Sequence, residues 1–269
     1  MLIYTVPLLA PAALFGAALW LHLRRDTLPR HGALIGEAAA LAALAVSVLS
    51  LAVLLGKGAG DSPLFGLAGV GLSSRLDVIS VTMLVLVAFI GWVVMRYART
   101  YLDGEHCQTD FTIWLAGTLA AVLLLVQSGN LIQFIGAWIV TSLCLHRLLL
   151  FYPGRVAAQR AAYKKFVTAR AGDAALIIAA LMLVAAYGTT RISDILAAAR
   201  LGEGGALAAG AAALIALAAL LKSAQFPTHG WLTEVMEAPT PVSALLHAGV
   251  VNGGGFLLIR FADVLLLSP

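Results

Sequence analysis

Lys222 closes a run, Ala206–Leu221, built only of alanine, leucine, isoleucine and glycine, and Pro227 follows five residues later. A lysine at mid-bilayer costs roughly 2.5–3.5 kcal/mol on insertion scales, so its presence there asks for a reason. Proline removes a backbone donor and disfavours helix at Phe226. Carbonyls freed at membrane depth are tolerated only where they meet protein or water. A lysine beside such a break has the chemistry of an ion pathway, an amine that gains and loses a proton next to hydrated backbone. The plainer reading ends the span at Lys222 and lets its side chain snorkel. His247 lies inside the last apolar run, where an imidazole titrating near neutral pH can carry a proton or sit neutral, hydrogen-bonded to a neighbouring helix. Arg170 and Asp173 are three apart in FVTARAGDAALI. They share a helix face, as a structural ion pair or as a gating pair. Arg260 and Asp263 have the same spacing and read as a structural pair.

These groups need a scaffold, and composition says which kind. The chain of 269 residues is 61% hydrophobic and 11% charged, with mean hydropathy +0.97. A soluble domain carries roughly 25% charged residues. Too few charges remain to cover a globular surface in water, so the surroundings are lipid. The net charge of +4 is therefore not read as nucleic-acid binding. Cys107 and Cys144 have no metal-type spacing and read as unpaired thiols. The first apolar stretch lacks a basic leader and is long enough to span, so it reads as a helix and not a cleaved signal. There is no Gly-rich phosphate loop, CxxC, HExxH or GxSxG, hence no expectation of catalysis, a redox centre or a metal in this chain.

Apolar runs near 2–22, 33–55, 76–97, 111–127, 131–151, 166–187, 206–221 and 240–267 each approach the length that crosses a bilayer. About eight helical spans are expected, the seventh interrupted between Lys222 and Pro227, with 228–237 helical or turn-like beyond it. RISDILAAAR places Ile192, Ile195 and Leu196 on one face of a short interfacial helix. Triple glycine 253–255 suits close helix approach. Arg24, Arg25 and Arg30 follow the first span, Arg96 and Arg99 the third, and Arg155, Arg160, Lys164 and Lys165 the fifth. The positive-inside rule puts those connections in the cytoplasm and the N-terminus outside. His146, Arg147, Arg155, Arg160, Lys164 and Lys165 form one basic cluster, suited to anionic lipid or to docking a soluble subunit.

The stretch KSAQFPTHGWLTEVMEAPTPVSALLHAG (222–249) resembles the antiporter-like membrane subunits of respiratory complex I and of multi-subunit Na⁺/H⁺ antiporters. RLDVISVTMLVLV, RYARTYLDGE, NLIQFIGAWIV and KKFVTARAGDA extend the likeness over about 75–262. The resemblance implies an all-α membrane fold with three leading spans (1–110) and one five-helix repeat (111–269). It implies that Lys222 is the proton-handling lysine of a broken helix, that His247 lies on the central hydrophilic axis, and that Arg170 and Asp173 match an Arg-x-Gly-Asp of the sixth helix. Two departures stand out. Ile139 follows Trp138 where the family carries a glutamate, for which Asp173 is the candidate substitute. The sequence also stops after the eighth span, without the family's second repeat.

SLCLHRLLLFYPGRVAAQRAAYKKFVTARAGD (142–173) further resembles the membrane subunits of DAB-type inorganic-carbon accumulation complexes. That likeness implies a proton-conducting subunit of the bacterial inner membrane, paired with a soluble, zinc-containing, carbonic-anhydrase-like subunit, the zinc lying in the partner. A further membrane chain would supply the missing repeat. A respiratory or antiporter subunit, and a non-conducting anchor, are the competing readings.

Overall fold

Seven of the expected runs form helices long and apolar enough to cross a membrane. The computed structural model describes residues 2–24, 31–67, 70–105, 107–152, 154, 156–233 and 238–267. Arg25, Arg30 and Arg155, and 234–237 of the turn-like stretch, lie outside the described residues. A 3₁₀ turn, Leu2–Leu8, leads into α1 (Leu9–Arg24). Then come α2 (Gly32–Lys57), α3 (Val78–Tyr101), α4 (Gln108–Val126), α5 (Leu131–Leu149) and α6 (Val156–Tyr187). A short helix α7 (Ile192–Arg200) precedes α8 (Gly205–Lys222). As its periodicity predicts, α7 buries Ile192, Ile195 and Leu196.

The eighth run differs from the single span expected. It is a relay of short pieces: α9 (Gly230–Thr233) ahead of it, then α10 (Thr240–Leu245), a π-helical turn Leu246–Val250, α11 (Gly253–Arg260) and α12 (Ala262–Leu265). The connection between α2 and α3 also folds more than a loop need. β1 (Gly60–Asp61) pairs antiparallel with β4 (Arg75–Leu76), and β2 (Phe65–Leu67) with β3 (Val70–Leu72).

Lipid offers no hydrophobic drive between helices, so close packing and small residues must hold the bundle. α4 is its centre, buried along nearly its whole length. An added methyl at Gly36 would lie 2.3 Å from Thr112, and one at Gly91 2.4 Å from Leu119, so both α2 and α3 seat their glycines against α4. Of the triple glycine, only Gly254 makes such an approach: its missing Cβ would fall 2.3 Å from the Ala219 carbonyl of α8. Gly253 and Gly255 face open space. Gly254 thus lets α11 touch the end of α8 beside its break.

Polar locks sit at the end of the bundle opposite the basic cluster. Asp77 caps α3 by accepting from the Ser80 amide at 2.8 Å, and Asn130 caps α5 by accepting from the Gln133 amide at 2.8 Å. Asn130 also donates to the Gly71 carbonyl and to Ser73 Oγ, at 3.0 and 2.9 Å, tying α5 to β3. Arg260, 3% exposed, reaches Asp77 at 2.6 Å and also donates to Ser80 Oγ. The expected Arg260–Asp263 pair is therefore corrected. α11 stops at Arg260 and α12 starts at Ala262, so the helical turn that would stack the two is broken, and Asp263 pairs instead with Arg200 at 2.8 Å.

Burial alone would push the Asp77 carboxyl up; the charge and hydrogen bonds of Arg260, the Ser80 amide and Arg75 outweigh it and hold the group well below the usual carboxylate range. Stability from that depressed carboxyl is fully present above pH about 4 and is lost only in stronger acid. Removing one partner of a buried pair strands the other charge, at a cost of about 3–5 kcal/mol. Asp77→Asn is accordingly expected to lower the thermal midpoint of the detergent-solubilised protein far more than the double change Asp77→Asn with Arg260→Met. Equal losses in the two variants would show that the pair does not lock α11 to α3.

Candidate functional site

The last turn of α8 ends where Ser223 donates its amide to the Ala219 carbonyl and Ala224 turns with φ +50°. Phe226–Pro227 is a cis peptide, and 228–233 continues as turn and short helix, so the chain is interrupted where the sequence places the break. Lys222 is the final helical residue. The negative end of the helix dipole favours a cation there.

Lys222 does not snorkel outward. Its Nζ lies 4.3 Å from the centroid of the Trp138 ring and 3.5 Å from the Trp138 carbonyl. Trp138 is itself buried and stacks on Phe134, which stacks on Phe256 of α11. A cation over an indole face gains about 2 kcal/mol when desolvated. Part of what lysine loses on leaving water is thus returned by a ring and a carbonyl of α5. A cavity of about 10 Å³ adjoins Lys222, between Thr141, Val126, Gly249 and Phe256. That is room for about one water.

Asp173 is the acid that α5, α6 and α8 carry between them. It is 4% exposed, and Arg170 Nη2 lies 2.6 Å from its Oδ2. The same carboxylate lies within electrostatic reach of Lys222 and Lys165 and faces the Trp138 indole. The local pair and the link to Lys222 therefore coexist. The Asp173 turn packs on the end of α8: a Cβ at Gly172 would make ordinary van der Waals contact with Leu221 Cβ at 3.5 Å.

His247 stands in the π turn and is exposed at the surface of the chain, outside the small cavity at Lys222. Its carbonyl accepts from Asn252 at 3.2 Å. Lys222, Asp173 and Arg170 thus lie within electrostatic reach of one another, and His247 is exposed.

The basic cluster divides. α6 begins at Val156, so the residues from Arg160 to Lys165 form its first turns and not a loop. Arg160 and Lys164 are exposed, and Arg147 is exposed with its guanidinium 5.5 Å from the Trp114 ring centre. Lys165 is only 5% exposed and cannot belong to a docking face. It falls on the buried stripe Ala158, Ala161, Lys165, Ala169, Gly172, the i, i+3, i+4 register of a packed face. Its Nζ donates to the Ser142 carbonyl at 2.5 Å and to Ser142 Oγ at 3.0 Å. His146 also turns inward, its ring 5.1 Å from that of Phe166. Sequence reasoning counted these two by charge; the stripe of small residues on either side of Lys165 is the signal that would have found it. Among the described residues no three histidine, cysteine or acidic side chains gather as metal ligands.

Several membrane-crossing helices that enclose a lysine, an arginine and an aspartate at a helix break define a multi-span membrane protein with an ionisable interior. A family model described as NADH:quinone oxidoreductase/Mrp antiporter, transmembrane, matches residues 128–269, and one for the N-terminus of complex I chain 5 matches 66–112. The chain belongs to this antiporter-like family. It is 48% identical over 191 residues to a probable inorganic carbon transporter subunit DabB of Hydrogenovibrio crunogenus, covering 70% of this chain and 37% of that protein. It is 33% identical over 273 residues to NADH-quinone oxidoreductase subunit L of Mycobacterium tuberculosis, covering 97% of this chain and 43% of that protein. A chain of the Mrp complex from Dietzia sp. superposes with a TM-score of 0.80 at 32% identity, over 96% of this chain and 28% of that one. The chain therefore spans less than half the length of these relatives.

Two roles of Asp173 separate by experiment. Asp173→Asn strands Arg170 and is expected to cost about 3 kcal/mol or more of stability, read as a lowered thermal midpoint. Adding Arg170→Gln restores most of that midpoint. If Asp173 also supports Lys222, the double variant recovers stability without recovering ion flux in liposomes; recovery of both would confine Asp173 to its pair with Arg170.

Proposed function

We propose that this chain is the proton-conducting membrane subunit of a complex that accumulates inorganic carbon. The observation that carries the reading is Lys222, held inside the bundle on Trp138 at the broken end of α8 and within electrostatic reach of Asp173. An amine in that setting takes a proton from one side and releases it to the other as its surroundings change, and an acid nearby favours its charged form. Arg170 is ion-paired with Asp173 at 2.6 Å. It offsets part of the Asp173 charge, so the lysine is held without being locked. The exposed His247, one turn from the cavity at Lys222, is suited to pass protons towards a further membrane chain on that face.

The choice of carbon accumulation rests on the likeness to relatives named as inorganic carbon transporter subunits and on Ile139 beside Trp138. Without a glutamate there, the chain lacks the acid its respiratory relatives place next to their lysine. A soluble, zinc-bearing, carbonic-anhydrase-like subunit is the partner this reading requires. Proton flow down its gradient would make hydration of CO₂ one-way. Arg147, Arg160 and Lys164 remain the exposed docking candidates; Arg155 lies outside the described residues. Positive-inside topology puts them in the cytoplasm of a bacterial cell, with the N-terminus periplasmic and the chain in the inner membrane.

Lys222→Ala is expected to abolish growth at ambient CO₂, to spare growth at raised CO₂, and to leave the complex assembled. Normal growth at ambient CO₂ would reject the role. Co-purification of respiratory or antiporter subunits in place of a soluble zinc protein would favour the respiratory or antiporter reading.

A further inference from the structure

Lys222 lies within the bundle, and a proton that leaves it towards the basic end needs a path. α5 supplies a track. Lys222 Nζ stands at the Trp138 carbonyl and Lys165 Nζ at the Ser142 carbonyl. These two residues are four apart on one helix, so their carbonyls share a face and lie about 6 Å apart along the axis. Four residues further, on the same face, is His146. Its imidazole is hydrogen-bonded to the Ala162 backbone of α6, and its Nδ1 is buried with no hydrogen-bond partner among the described residues. Trp138, Ser142 and His146 thus form a stripe that runs from the break in α8 to the end of α5 that carries Arg147.

We propose that this stripe, with Lys165 standing on it, is the exit limb of the proton path, passing protons from Lys222 to the basic end of the bundle. The inference rests on the reading that the chain conducts protons. Lys165 is held by a backbone carbonyl and a hydroxyl, while the carboxylate it faces is paired with Arg170. The groups facing Lys165 are Lys222, Arg170, Asp173 and Cys144; those facing His146 are Lys165, Arg147 and Arg170. With Lys165, Arg170 and Lys222 all protonated, one carboxylate would face three cations in the interior of the bundle. Such a cluster binds protons as a unit. Because arginine keeps its proton, a lysine gives one up. A vacancy shared between two lysines that stand on carbonyls one turn apart on α5 is what a relay needs.

The steps balance. Lys222 ammonium loses a proton through water to Lys165 amine, leaving amine and ammonium exchanged. Lys165 ammonium then gives a proton to the open Nδ1 of His146, and the imidazolium releases one to water at the Arg147 end. Lys165 is a proton-carrying residue in this account, where a structural lysine would only tie α6 to α5.

Arginine and histidine at position 165 separate the two roles. Lys165→Arg keeps a cation and donors for Ser142 but holds its proton; Lys165→His titrates. In liposomes carrying the purified complex, Lys165→Arg is expected to lower potential-driven proton flux by about tenfold or more, and Lys165→His to retain more flux than Lys165→Arg. Full flux in Lys165→Arg overturns the proposal. A second readout needs no flux. In protein with Cys107 and Cys144 changed to serine, cysteines at 165 and 146 should react with a small charged thiosulfonate applied from the Arg147 side. A cysteine at 167, on the outward face of α6, should not. No reaction at 165 or 146 overturns the hydrated stripe even where the wild type conducts. A reactive stripe in a protein without wild-type flux supports the stripe and counts against proton conduction.

Discussion

The ammonium of Lys222 on the face and carbonyl of Trp138 sets the terms for everything around it. A lysine inside an apolar bundle loses its water, and each neighbour must return some of what is lost. α8 contributes its C-terminal dipole, α5 a ring and a carbonyl, α6 the carboxylate of Asp173. None of these alone offsets burial of a charge. Together they return part of what the ammonium loses on leaving water.

Precision at that point depends on features far from it. α4 is buried along nearly its whole length and receives the glycines of α2 and α3, so the leading helices form a wall and not a loose annex. Gly254 lets α11 reach the Ala219 carbonyl, which places the π turn beside Lys222. Arg260 on Asp77 fixes the other end of α11. π turns and broken helices both set backbone carbonyls free of the regular ladder, and here both fall beside a small cavity that touches the lysine. The rigid, well-capped end of the molecule and the irregular, ionisable middle are complementary: one fixes the frame within which the other can change protonation.

Much of this was legible in the sequence. Span positions followed from apolar runs, the break from Pro227 behind Lys222, and the buried face of α7 from its periodicity, because each depends on local spacing. Pairings across the chain were not legible. Arg260 meets Asp77 over 183 residues of separation, while the i, i+3 rule pointed to Asp263. The rule assumes a continuous helix, and Phe261 interrupts it. Lys165 was misplaced for a related reason. Charge in a membrane chain signals a boundary, and two adjacent lysines look like one patch, yet consecutive helical residues point about 100° apart. Lys164 faces outward and Lys165 inward among alanines. His247, placed on the central axis by the resemblance, is exposed in the chain described.

The central claim is that the path crosses at the Lys222 amine. The most direct measurement is the voltage-driven proton current of the purified complex in a supported bilayer, wild type against Lys222→Met, which keeps side-chain length and removes the titrating group. The account predicts a current that falls to the level of protein-free lipid in Lys222→Met, with unchanged assembly and no dependence on sodium in the wild type. A current in Lys222→Met equal to that of the wild type would contradict it.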